Sequence, residues 1–326
     1  MDMLFNGRTD AAYNLALEEL LATDYPRGAI MLWRNDNAII VGRNQNTAAE
    51  IDAEYVREHH INVVRRTTGG GAVYHDLGNV NYTIIATGRQ LEQEAFARNA
   101  GIIVEVLNSM GVAAEFHGRN DILVEGRKVS GSAKRVLADR TLFHGTLLFD
   151  TDLSVLGAAL TPDESKIRAK GIASVRSRVA NLREFLPQWN VEKFLDELRA
   201  RLLRVTGQGE FLEIPAEYRR RAEALADSKY RTWEWNYGTV GSYSYCWRGR
   251  FPCGGVEVRF NVTDNRIADM NITGDFFGSE EVAALAARFN GVIPERKAIA
   301  AVIAGNDIGR YISGLTPEEF LSLFRI

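Results

Sequence analysis

Apolar residues at 15, 17, 20 and 21 of "AAYNLALEELLAT" recur at close to helical spacing, with Asp10 in the capping position before them. Two short apolar runs, "IMLW" and "AIIV", then flank the polar turn "RNDN" and read as a hairpin. "INVV", "AVYH" and "VNYTII" read as strands, the last two joined by the turn "DLGN". Residues 90 to 110 carry apolar positions 91, 95, 102, 103, 106 and 107, an amphipathic helix that stops at Gly111. "ILVE" and "KVSGSA" flank Gly126-Arg127 as a second hairpin, and "TLFHGTLLF" is a further strand. From Asp152 to about Ala226 the pattern is mainly helical, most clearly in "VEKFLDELRARLLRV". Strands and helices thus come in runs, which favours α+β over a regular βαβ alternation.

The stretch "KYRTWEWNYGTVGSYSYCWRGRFPCGG" breaks the pattern, too aromatic for a disordered linker and too rich in Gly for one long element. A domain boundary is expected within it, giving a large domain over 1–245 and a small α+β domain over 246–326. In the small domain "VEVRFNV" and "IADMNI" read as strands around an Asp264-Asn265 turn. A helix at about 279 to 289 with Ser279 as its cap follows, and Thr316, Pro317 and Glu319 form a capping box opening a last short helix.

Composition narrows the function classes. The 326 residues are 46% hydrophobic and 25% charged, enough to build a core without a structural metal or disulfide staple. The net charge of -3 gives no bulk attraction to nucleic acid or to an anionic membrane. The two cysteines, Cys246 and Cys253, fit no common zinc spacing and read as free thiols of a reducing cytosol. The N-terminus has no signal-peptide pattern, and no apolar run reaches eighteen residues, so a cytoplasmic protein is expected.

Chemistry concentrates in "RRTTGGGAVYHD", residues 65 to 76. Three glycines remove Cβ atoms and permit positive φ, and exposed N–H groups in such a turn can cradle an anion. Arg65 and Arg66 would add charge-assisted bonds to phosphate oxygens. A plain glycine turn beside surface arginines fits the triplet equally well. Neither a Rossmann fingerprint nor a Walker A loop is present, since Gly126 and Gly131 have the right gap but no Lys-Ser/Thr follows. In "GRNDILVEGRKVSGSAKR", strand alternation would put Lys128, Ser130 and Ser132 on one face, a lysine among small residues with room beside it. An ordinary exposed lysine is the bland alternative. His144 reads as a core histidine, and Asp76 and Asp121 as turn residues that could also hold Mg²⁺ through water next to phosphates. The basic run Arg176, Arg178 and Arg183 reads as a solvated helix start or a docking surface for an acidic protein.

Taken in order, "RRTTGGGAVYHDLGNVNYTI", "GRNDILVEGRKVSGSAKR", "HGTLLFDTDL", "KGIASVRSRVANL" and "WEWNYG" resemble the lipoate–protein ligase family over most of residues 10 to 240. The tail after about 248 is similar to the accessory domain of two-domain members. The resemblance implies a biotin/lipoate protein ligase-like catalytic domain. It implies that lipoate is activated by ATP, with Mg²⁺, to lipoyl-AMP. The lipoyl group then passes to a lysine of an acceptor, either a lipoyl domain of a 2-oxo acid dehydrogenase complex or the glycine cleavage H protein. Arg65 corresponds to the arginine that contacts nucleotide phosphates, and Gly70, Gly71, Ala72 and Val73 to the ATP-binding backbone. Lys128 corresponds to the lysine that touches both the phosphate and the lipoyl carboxyl. Gly69, Tyr74, His75, Asn120, Asp121 and His144 lie in matching motifs, with Asp121 the candidate metal contact. Thr67-Thr68 replace small polar residues, the only other departure being Tyr74 at an aromatic position. A monomer is expected. The rivals are an octanoyl or lipoyl transferase of the same fold, disfavoured because no cysteine precedes residue 246, a biotin ligase, whose glycine motif is built differently, and a non-catalytic lipoyl-domain-binding relative.

Overall fold

A computed structural model describes residues 1–91, 94–160, 179–238 and 243–324. The chain forms two compact units. The first comprises Met1–Ile40, Ile51–Arg65 and Val73–Asn236, the second Val41–Glu50, Arg66–Ala72 and Tyr237–Ile326.

Among the described residues, the first unit is built on a seven-stranded sheet. Its order is β1 (Asp2–Phe5), β2 (Ala29–Trp33), β6 (Asn79–Thr87), β10 (Arg140–Leu148), β9 (Arg127–Val136), β8 (Asp121–Val124), β7 (Ala114–His117). Only β1 and β2 run parallel; the other neighbours are antiparallel. With its separate helices this is an α+β fold. Helix α1 (Ala11–Asp24) covers one face, and Asp10 caps it by accepting from the Ala12 and Tyr13 amides. It buries Leu15, Leu17 and Leu21 with Leu4, Met31 and Leu142 of the sheet. Helices α2 (Glu94–Ser109) and α3 (Val191–Thr206) cover the other face, where Ile103, Val106, Phe194 and Leu198 meet Ile84, Phe143 and Phe149. Leu91 lies before α2 and is exposed, so the expected helix starts later than its apolar pattern.

The expected β2 hairpin is corrected by the structure. Strand β3 (Ala38–Val41) does not pair with β2 but joins a small sheet of order β4-β3-β5, with β4 (Asn62–Arg65) and β5 (Val73–His75). Both strands are apolar on each face and wholly buried, so each needs its own layer of neighbours.

In the second unit β11 (Tyr245–Phe251), β12 (Gly254–Thr263) and β13 (Arg266–Gly274) form an antiparallel sheet. The aromatic stretch that reads as a break therefore contains an edge strand, and Trp247 packs on Phe260 and Phe324. Asp264 and Asn265 both have positive φ, the tight turn expected between β12 and β13. Helix Val282–Ala287 starts after Glu281; Ser279 instead bonds the Arg310 carbonyl, so it is not the cap. The Thr316–Glu319 capping box opens the helix Pro317–Ser322 as expected. Cys246 is exposed and Cys253 buried, and neither is half of a disulfide. No helix among the described residues is long and apolar enough to cross a membrane.

Candidate active site

The β8–β9 hairpin turns through Glu125 and Gly126, both at positive φ, which fixes Val124 opposite Arg127. One step on, the register slips. Leu123 faces Lys128, yet Ile122 faces Ser130 and Asp121 faces Gly131. Val129 is the extra residue of a β-bulge, and it reverses the alternation. Lys128 therefore shares a face with Asp121 and Gly131, not with Ser130 and Ser132 as strict alternation predicts.

Lys128 Nζ lies 2.7 Å from Asp121 Oδ1, with side chains 37% and 33% exposed. A pair this exposed contributes about 0–1 kcal/mol to stability, so its importance is geometric. Gly131 completes the arrangement, since a Cβ there would come 2.9 Å from Lys128 Nζ and 3.0 Å from Cε. Asn120 fastens the neighbouring strand: its carbonyl accepts from Ser132 N at 2.8 Å and its Nδ2 donates to Ser132 O at 2.6 Å. The Lys128 carbonyl accepts from Ala180 N at 2.9 Å. Arg176 and Arg178 of the basic run lie outside the described residues. Arg183 pairs with Asp150.

The same sheet face continues through Ala133 to His144 on β10 and Thr83 on β6, which lie directly opposite one another in turn. His144 Nδ1 is 2.9 Å from both carboxylate oxygens of Glu18 on α1. Thr83 Oγ1 donates to Glu18 Oε1 at 2.6 Å and accepts from Trp33 Nε1 at 2.9 Å. A carboxylate only accepts, so the Nδ1 proton belongs to His144. Glu18 is 1% exposed, and these donors are what make its burial tolerable. One face thus presents a cation, the small residues Gly131 and Ala133, and a fixed imidazole. Gly145 points to the other face, where Tyr82 donates to or accepts from Ser132 Oγ at 2.8 Å.

Arg65, at the end of β4, is 3% exposed, and burial pulls its pKa down to about 10, so it is still a cation at neutral pH. Its Nε donates to Trp235 O at 2.9 Å and its Nη2 to Asn236 O at 3.1 Å. On β5, His75 Nδ1 accepts from Asn35 Nδ2 at 3.1 Å, and Tyr74 OH donates to Asn37 Oδ1 at 3.2 Å. Burial, with Asp76, Asp152 and Asp36 nearby, pushes the Tyr74 phenol up to about 12. Asp76 caps its own turn, Oδ1 accepting from Gly78 N at 3.0 Å and Oδ2 from Asp152 N at 2.8 Å. Burial raises its pKa despite those bonds.

In the second unit the glycine run is held from within. Arg66 Nη2 donates to the carbonyls of Gly69 at 2.7 Å and Gly71 at 2.8 Å, and its Nε to Thr68 Oγ1 at 2.9 Å. This arginine pins the loop. Gly70 has φ +93°, and its N–H donates to Phe276 O at 3.1 Å. A Cβ on Gly69 would lie 2.4 Å from Phe276 O, and one on Gly70 would lie 3.1 Å from Arg66 Nη2 and the Phe277 ring. A Cβ on Gly71 would meet nothing within 4 Å. Packing thus accounts for the first two missing side chains and not for the third. Ala72 follows in this loop, and Val73 opens β5 opposite Ile40 in the first unit.

Sequence reading missed Glu18, Gly131 and the Trp235–Asn236 pair. Glu18 had a signal: it falls on the buried stripe of α1 between Leu15 and Leu21. Among the described residues no group of three His, Cys, Asp or Glu could hold a metal by itself.

Comparison with known proteins agrees with the motifs. Residues 10–203 match the model of the lipoyl protein ligase A/B catalytic domain, and 242–324 that of the bacterial lipoate protein ligase C-terminus. The chain is 37% identical over 323 residues to the lipoate-protein ligase LplJ of Bacillus subtilis, covering 96% of each. It is similar in structure to P. falciparum LipL1 in complex with lipoate, at TM-score 0.77 and 25% identity, covering 98% of this chain and 97% of that one. A lipoate-protein ligase A bound with ATP matches at TM-score 0.64 and 26% identity, covering 73% of this chain and 99% of that one.

Proposed function

The chain belongs to the lipoate–protein ligase family of enzymes, and from that premise we propose that it joins lipoate to protein lysines in two ATP-dependent steps. A lipoate carboxylate oxygen attacks the α-phosphorus of ATP, and pyrophosphate leaves. The neutral ε-amine of an acceptor lysine then attacks the carbonyl of lipoyl-AMP; a C–N bond forms, AMP leaves, and the amine loses a proton to solvent. The relatives solved with lipoate and with ATP support this substrate pair.

The observation that carries the reading is the seating of Lys128 beside Asp121 over Gly131. A cation fixed there offsets the repulsion between carboxylate and phosphate and stabilises the charge of the pentacoordinate transition state. Preorganised donors of this kind are each worth about 3–4 kcal/mol. Arg65 binds the nucleotide phosphates. The backbone of Gly70, Gly71, Ala72 and Val73 lies against the nucleotide, with Gly71 the point where close approach meets no neighbour. Mg²⁺ arriving with ATP would neutralise phosphate charge. Asp121 is the carboxylate suited to hold it, since such ions need only one or two protein carboxylates beside phosphate oxygens. The acyl chain lies along the face between Lys128 and His144. Residues 1–245 catalyse, and 246–326 serve as the accessory domain. The acceptors are lipoyl domains of 2-oxo acid dehydrogenase complexes and the glycine cleavage H protein. The enzyme works in the cytoplasm as a monomer.

Incubation with ATP, Mg²⁺, lipoate and an apo lipoyl domain is expected to raise acceptor mass by one lipoyl group. No gain with a competent acceptor would sink the reading. A gain from carrier-bound octanoate without ATP would make the protein a transferase.

A further inference from the structure

The segment "WEWNYG", residues 233 to 238, carries family resemblance but no chemistry of its own. Trp233–Tyr237 is a single helical turn, and Asn236 closes the first unit. This turn grips Arg65 from 171 residues away in sequence. Arg65 N donates to Asn236 Oδ1 at 2.8 Å, and Trp235 Nε1 donates back to Arg65 O at 2.8 Å. Together with the Nε bond to Trp235 O and the Nη2 bond to Asn236 O, backbone and guanidinium are fixed at once. Carbonyl partners orient a guanidinium without neutralising it, because they bring no opposite charge.

The grip is itself braced. Asn236 is 5% exposed, and its Nδ2 donates to Tyr230 O at 2.8 Å and Thr232 O at 3.0 Å. Tyr230 ends one turn of π-helix, Ala226–Tyr230, a geometry often kept for functional reasons. Lys229 Nζ lies 4.1 Å from the Trp235 ring centroid and is held by both carboxylate oxygens of Glu19 on α1, at 2.8 and 2.7 Å. Tyr230 OH donates to the same carboxylate at 2.7 Å. An exposed ammonium–ring contact is weak, but here it locks the ring whose N–H meets Arg65.

We propose that Trp235 and Asn236 are positioning residues for Arg65, and that their clamp sets the affinity for ATP and the rate of the adenylation step. This rests on the reading of Arg65 as the phosphate-binding cation. Neither residue touches substrate; both act through the direction they give one guanidinium.

The test compares full-length wild type with Asn236→Ala, Trp235→Phe, Arg65→Ala and the Arg65→Ala/Asn236→Ala double variant. Each is read by lipoate-dependent pyrophosphate exchange into ATP, by calorimetric ATP binding and by thermal melting. Asn236→Ala is expected to weaken ATP binding and raise the KM for ATP by about 10- to 100-fold, as small misplacements of a working group do, with the KM for lipoate near wild type. Trp235→Phe keeps a ring beneath Lys229 and loses only the N–H, so the same shift is expected, smaller. The double variant should bind ATP no worse than Arg65→Ala, since both changes remove one interaction. A lower melting temperature with unchanged ATP affinity, or additive losses in the double variant, overturns the proposal. If Asn236→Ala does not fold, Trp235→Phe decides alone: unchanged ATP affinity overturns it. Wild type that binds ATP without supporting exchange sinks the ligase reading, while the ATP affinities still judge the clamp. Wild type that does not bind ATP overturns both.

Discussion

Gly131 and Gly145 lie on neighbouring strands and lack side chains for opposite reasons. At Gly131 the atoms in the way belong to the tip of Lys128, which can move. Gly131→Ala should therefore leave the fold intact and displace the ammonium, lowering adenylation by roughly tenfold or more with little change in melting temperature. At Gly145 a Cβ would come 2.4 Å from Tyr82 Oη and 2.5 Å from Cζ, atoms of a fully buried ring. Gly145→Ala should destabilise by about 1–3 kcal/mol, read from denaturant midpoints. If the two phenotypes are exchanged, the assignment of these glycines is wrong. Lys128→Ala, by contrast, should cost at least about 100-fold in pyrophosphate release and under about 1 kcal/mol in stability. Lysine, glycine and aspartate were all visible in "NDILVEGRKVSG", but their meeting was not. It depends on one extra residue in a strand, and no window of side-chain types reports a register.

Elements whose ends are set by their own residues were the readable ones. Asp10 announces α1, and its depressed pKa shows how the cap behaves. Burial would raise it, but bonds from Arg231 and from the Tyr13 and Ala12 amides outweigh that and hold it below its ordinary value of 3.8. A carboxyl lowered by folding contributes stability that is complete above its unfolded value and lost as pH falls through its folded one. Asp10→Ala should thus cost about 1 kcal/mol at pH 7, with the melting gap to wild type closing as pH falls below 3.8 and through the lowered folded value. A gap that persists in acid would mean that lost packing, not the charge, explains the effect. The bulge at Val129 was not readable, because an added residue changes pairing without changing composition. Deleting Val129 should remove the bulge and leave Lys128 opposite Leu123 on the face of Asp121 and Gly131, so adenylation should persist wherever circular dichroism shows the sheet intact; its loss from a folded variant would show that the bulge itself aims the ammonium.

At the scale of the molecule, each unit has its own apolar core: Ile103, Phe143 and Phe194 in the first, Val258, Phe260, Phe289 and Phe320 in the second. The second unit also owns two short loops from early in the chain. Gly274 N donates to Asn44 O at 2.7 Å, Gly70 N to Phe276 O, and Arg43 pairs with Glu281. A chain ended at Asn236 should keep the first core but leave the 66–72 loop without Phe276, so hydrogen exchange at Gly70 should accelerate while α1 and the sheet stay protected. Slow exchange at Gly70 in the truncated chain would show that Arg66 alone orders the loop. The sequence by itself determined what depends on neighbours along the chain: capped helices, two-residue turns at Gly126 and at Asp264-Asn265, an α+β order of elements, and motifs in family sequence. Tertiary structure alone decided which sheet β3 joins, which face Lys128 takes, and that Asn236 holds Arg65. Those are pairings across many residues, chosen by burial and by the need to satisfy buried polar groups. Neither force leaves a periodic trace in the chain that obeys it.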